Sequence, residues 1–146
     1  MEYERLLALW DQRTVLLTSV LDLTKQIEAQ SRQEDIQLGD LPEQRQVYID
    51  RLKKCNRAID ASAGKANPED RARLKRILAA NPDLTSCTQE ERRLAAYARE
   101  SRRLLDSILA SDTEARRKIR LECDRLRKLA RSSRKKAAFR PESGNV

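Results

Sequence analysis

The sequence predicts an all-α fold: an elongated antiparallel helical bundle or coiled coil with long first and last helices. Three observations carry this. Charged residues make up 37% of the 146-residue chain and aromatics only 3%, a composition suited to long helices with wetted faces. With three glycines and four prolines, long stretches run without a breaker. No run of β-branched and aromatic residues at period two is long enough to make a useful strand. One domain over residues 1–140 follows, with residues 141–146, PESGNV in sequence from Pro141, as a loose tail without a core-forming pattern.

The first helix is expected at about 3–30, where Leu6, Leu9, Trp10, Leu16, Leu17, Val20, Leu23 and Ile27 recur at helical spacing. Leu7 and Leu21 widen this stripe, so the helix should touch more than one neighbour and lie at the centre of the bundle. Trp10 sits on the stripe and reads as core rather than as a ligand-stacking residue. The second helix is expected at about 41–63. Asp40 is positioned to cap it, Pro42 is tolerated in the first turn, and Glu43 falls at the capping-box place. Its inward face would be Tyr48, Ile49, Leu52, Cys55 and Ile59, with Gly64 as a left-handed terminator. The short link makes helices 1 and 2 an antiparallel hairpin.

Asn67-Pro68-Glu69-Asp70 opens a third, short helix expected at about 68–80, halted near Asn81-Pro82 because proline disfavours helical geometry in the residue before it. Thr88-Gln89-Glu90-Glu91 is a capping box for the last helix, about 88–138. Its spine alternates by four and three through Leu94, Ala98, Ser101, Leu105, Ile108, Asp112, Ala115, Ile119, Cys123 and Leu126, then Leu129 or Ala130. Ser111-Asp112-Thr113-Glu114 is a second capping-box pattern, so the helix either continues or restarts there, with continuity preferred. At 1.5 Å per residue the first helix is roughly 45 Å long and the last, if continuous, roughly 75 Å. The last helix therefore outruns its partner, and the apolar stripe from around Ile119 to Phe139 lacks an obvious intramolecular cover.

Catalysis finds little to work with. The chain has no histidine, the usual general base and zinc ligand, and contains no Gly-rich phosphate loop, no GxSxG elbow and no paired cysteine motif. The acidic pairs Glu34-Asp35, Glu69-Asp70 and Glu90-Glu91 lie at helix starts or links, where they complement the helix dipole. Cys55, Cys87 and Cys123 are odd in number and widely spaced, which argues against a disulfide framework or a zinc site and for small buried or half-buried packing residues. No enzyme activity, cofactor or metal is expected. No stretch approaches the roughly 20 apolar residues that span a bilayer. The opening MEYERLL lacks the cationic and apolar regions of a signal peptide, so a cytoplasmic protein without membrane insertion is expected.

The net charge of +8 is concentrated at one end: residues 114–140 hold twelve Lys/Arg against three acidic residues. As a nucleic-acid module this run has charge but only Phe139 as an aromatic, so any such binding should be nonspecific. As a docking helix it keeps an apolar stripe among the charges, which suits helix-on-helix recognition. A solvated helix end without a partner is the third reading. The candidate partner-binding residues are Ile119, Cys123, Leu126, Leu129, Ala130 and Phe139.

The stretch LLALWDQRTVLLTSVLDLTKQIEAQ, the acidic Glu34-Asp35 ahead of Glu43-Gln44-Arg45-Gln46, the LLxxILxxDxE run from Leu104 to Glu114, and the Arg/Lys-rich helix closing on Phe139 together resemble a known family. It is that of the small flagellar export chaperones of the FlgN and FliT type, particularly Gram-positive forms. The resemblance implies a helical type III export chaperone that holds late export substrates, hook-associated or filament-cap proteins, by their amphipathic C-terminal helices. It further implies client contact through the last helix and delivery to the export apparatus. A homodimer is compatible with the pattern. The alternatives are a basic nucleic-acid-binding or nucleoid-associated helical protein and a structural coiled-coil module.

Overall fold

The computed structural model describes residues 1–138, and four helices account for most of them: α1 (Tyr3–Ser31), α2 (Leu41–Gly64), α3 (Pro68–Ile77) and α4 (Gln89–Ala138). The fold is an all-helical bundle in which the long first and last helices pack against each other. Helix α1 is its centre because it is apolar on two sides. Leu16 packs with Cys55 and Ile59 of α2, whereas Leu17, Val20 and Leu21 pack with Leu104 and Ile108 of α4. Helices α2 and α4 nowhere bring their α-carbons within 8 Å of one another among the described residues, and they meet through side chains only, Tyr48, Ile49 and Leu52 packing on the cluster of Leu104 and Ile108.

Helix α2 returns antiparallel to α1, as the hydrogen bonds Arg45 to Thr24 and Arg13 to Asn56 show. Helix α4 then runs in the same direction as α1, with Tyr97 bonded to Asp11 and Ser111 to Glu28. At the end where α1 begins, α3 lies against both α2 and α4. Its Leu74 and Ile77 join Leu6, Leu7, Leu94 and Ala95 in one cluster, with Trp10 partly buried against it. The Arg13 guanidinium lies 5.1 Å from the Trp10 ring centre, a cation–π contact on this half-buried ring.

Several helix ends differ from expectation. Asp40 makes no side-chain cap on α2, because the chain enters through Gly39 at φ +57° and Asp40 already has near-helical angles. The left-handed residue is thus Gly39, where L side chains are strained, and not Gly64. Gly64 is the last helical residue, and α2 ends through Lys65 at φ −77° and a tightened turn from the Ala66 N–H to the Ala63 carbonyl. Helix α3 stops at Ile77, short of Ala80, and the Arg102 guanidinium takes the Leu78 carbonyl that a further turn would use.

Two start signals act as their residue types suggest. Asn67 accepts the Asp70 N–H at 2.8 Å, and Thr88 and Glu91 exchange the reciprocal bonds of a capping box. Glu91 also receives Arg73 of α3 on both oxygens, and only 1% of the residue is exposed. Helix α4 passes through Ser111–Glu114 without a break.

Candidate partner-binding surface

Among the described residues, every buried residue of α4 lies at or before Ala115. The register explains why, since α1 has 29 residues and α4 has 50, and the two start at the same end of the bundle. Beyond Ala115 there is no α1 left to pack on. Leu104 is fully inside the core and the expected Leu105 is partly buried against the same cluster, because α4 faces α1 with a broad surface that also takes Ala95 and Ser111.

The exit of α4 from the bundle is marked by a polar layer. The Ser111 hydroxyl donates to the Glu28 carboxylate, and Arg32 pairs with the same carboxylate at 2.6 Å. Thr24 donates to the Val20 carbonyl at 2.7 Å and accepts from Arg45, whose other nitrogen lies 3.5 Å from Asp112. Asp112 also pairs with Arg116 at 2.9 Å. Buried hydroxyls and half-buried charges are thereby satisfied across all three long helices, as burial requires. Asp112 and Ser101 lie on the α4 spine as polar interruptions of its seam. The available signal was that a polar residue on such a seam needs a partner, but the partner of Ser111 lies 83 positions away.

Past this layer α4 projects from residue 116 to residue 138, roughly 34 Å at 1.5 Å per residue. Ile119 is half-buried at the root, and Cys123 and Ala130 are exposed. Leu126 and Leu129 are each 52% exposed. Cys123 thus departs from the packing role expected for all three cysteines, because it lies beyond the reach of α1, while Cys55 is buried and Cys87 half-buried. Phe139 and residues 141–146 lie outside the described residues. Ile119, Cys123, Leu126 and Ala130 follow the spacing four, three, four and share one face, with Leu129 at its edge. Leu121, 54% exposed, points to the other side.

Eleven Lys/Arg and two acidic residues, Glu122 and Asp124, occupy residues 116–138. Pairs at the i,i+3 spacing hold some of this charge: Arg117–Glu114 at 2.7 Å, Arg125–Glu122 at 2.6 Å and Arg127–Asp124 at 3.8 Å. The hydrogen bonds from Arg117 and Arg125 draw the Glu114 and Glu122 carboxyls below their ordinary range. Lys118, Arg120, Lys128, Arg131, Arg134, Lys135 and Lys136 have no carboxylate within 4.0 Å among the described residues. Along one flank of the apolar face the sequence places an arginine at every seventh position, Arg120, Arg127 and Arg134.

Among the described residues no three Cys, Asp or Glu side chains gather as metal ligands, and no helix is long and apolar enough to cross a membrane. The projecting segment is a continuous helix carrying an apolar stripe with an arginine row along one flank. No protein-family model, curated protein or solved structure matches the chain.

Proposed function

We propose that the chain is a non-catalytic chaperone of the flagellar type III export kind, docking the amphipathic C-terminal helix of a hook-associated or filament-cap protein along the projecting part of α4. One observation carries the reading, namely that α4 continues past the end of α1 with Leu126 and Leu129 half exposed on one face. Covering what remains open on both leucines is worth on the order of 2 kcal/mol of apolar burial. The cations around them mainly speed the encounter. The bundle serves as the rigid mount, and the same arm would present its client to the export apparatus.

Calorimetry with the C-terminal segments of candidate hook-associated and cap proteins tests this. Leu126→Glu with Leu129→Glu should abolish binding at unchanged stability of the bundle, and truncation after Lys118, which keeps every buried residue among those described, should do the same. Full binding by either variant would place the client elsewhere. A second reading, nonspecific nucleic-acid binding, draws on the seven cations that no described carboxylate neutralises. It predicts duplex affinity that falls steeply with salt, through counterion release, and is indifferent to sequence.

A further inference from the structure

Resting on the projecting part of α4 as the docking surface, we infer that its occupant is an acidic amphipathic helix bearing carboxylates at heptad spacing, and not a second copy of this chain. The continuous helix fixes the geometry. With Ile119, Cys123, Leu126 and Ala130 along the seam, Arg120, Arg127 and Arg134 all fall at the position that borders the partner in a helix pair. Arg120 and Arg134 have no described carboxylate within 4.0 Å, and Arg127 has only Asp124 at 3.8 Å. Three guanidinium groups in one line, about 10 Å apart by helical rise, ask for an acid on every second turn of the partner.

A second copy answers this poorly. Laid antiparallel, two such arms would set the arginine rows against each other. Laid parallel, the opposite flank offers Glu122, Leu129 and Lys136, one acid for three arginines. In either arrangement two segments with eleven cations and two acids each would be brought together. Nucleic acid would satisfy the cations but leave the apolar seam wet, so the seam and the arginine row together favour a protein helix. Toward the tip the seam narrows to Ala130, Ser133 and Ala137, room that a partner fills with its own larger apolar residues.

Cys123 sits in the middle of this seam, exposed, and reports on its occupancy. The experiment measures its alkylation rate in the full chain, read by peptide mass so that Cys55 and Cys87 are scored separately. The probes are synthetic helices of about three heptads with leucine seams, one flanked by glutamate and one by lysine, beside a scrambled glutamate peptide and a random DNA duplex. The glutamate helix should slow Cys123 alkylation about tenfold or more at saturation, and the lysine and scrambled peptides should not. Arg120→Gln, Arg127→Gln and Arg134→Gln together should weaken the glutamate helix by about tenfold at low salt and by less as salt screens the row.

Equal protection by the lysine helix would overturn the acidic occupant while leaving helix docking intact. Failure of the glutamate helix to protect, with client segments still bound through Leu126 and Leu129, would likewise sink this inference and spare the proposed function. Protection that rises with protein concentration alone would make a second copy the occupant. Protection by the duplex but not by the glutamate helix would make it nucleic acid.

Discussion

Glu91 is both a cap and a tie, for it closes the capping box with Thr88 and holds Arg73 of α3 from a buried position. The Arg73 hydrogen bond lowers its carboxyl from 4.5 to about 2, against the opposing effect of burial. A depressed folded-state value means that this stabilisation is complete above the unfolded value and is lost as pH falls through the folded one. Between pH 4.5 and about 2, therefore, the native chain should lose stability that a Glu91→Gln variant never had. At neutral pH the variant should be less stable by roughly 1–3 kcal/mol. Denaturant melts of both proteins across that range check this, and parallel curves would show that Glu91 is not coupled to folding. Ser101 is the opposite case: it is 2% exposed, and its hydroxyl has no hydrogen-bond partner among the described residues. Replacing it with alanine removes an unpaired polar group and raises helix propensity, so Ser101→Ala should gain roughly 1 kcal/mol. A lower melting midpoint would mean that the hydroxyl is satisfied in solution.

At the scale of elements, α1 bears the packing of two neighbours on adjacent faces. Leu16 serves the α2 side and Val20 the α4 side, both nearly inaccessible. An aspartate at either place would bury an unpaired charge, costing roughly 3 kcal/mol or more, and thermal melts of Leu16→Asp and Val20→Asp should show large drops in midpoint. Unchanged midpoints would mean that α1 is not the core helix. This centrality was legible in the sequence, because a stripe widened by Leu7 and Leu21 has no other use than a second neighbour. The Thr88–Glu91 box was legible too, since its two bonds are local. What was not legible depended on contacts distant in sequence. At the end of α3 the Leu78 carbonyl is bonded by Arg102, a residue on another helix, and α2 starts through the turn at Gly39 without a cap from the side chain of Asp40. The polar layer of Thr24, Glu28, Arg45, Ser111 and Asp112 draws on three helices, so no local pattern announces it.

For the whole molecule, the decisive quantity is the difference in length between α1 and α4, and it could be read from the spacing of breakers alone. The packed part and the projecting part differ in what holds them. The first rests on buried leucines and alanines, and the second on backbone hydrogen bonds and exposed i,i+3 ion pairs, which contribute little. Salt should leave the melting of the bundle nearly unchanged while raising the helicity of the arm, because screening relieves the mutual repulsion of eleven cations more than it weakens a few ion pairs, and circular dichroism would record this as a small gain before the main transition.

Because α4 crosses the polar layer unbroken, a single helix is divided into two regimes of time. Amide hydrogens between Leu94 and Ala115 can exchange with solvent only when the bundle opens, an event whose rarity reflects the stability of the entire fold. Those beyond Lys118 need only local fraying of an unpacked helix, which is fast because each residue lost or regained breaks or makes about one hydrogen bond with no new nucleus to form. Exchange mapped residue by residue should show slow amides up to the polar layer, then a steep fall within about one turn, with the fastest at the far end. A partner seated on the arm would move that boundary outward, so the position of the step along α4 would measure occupancy without any label.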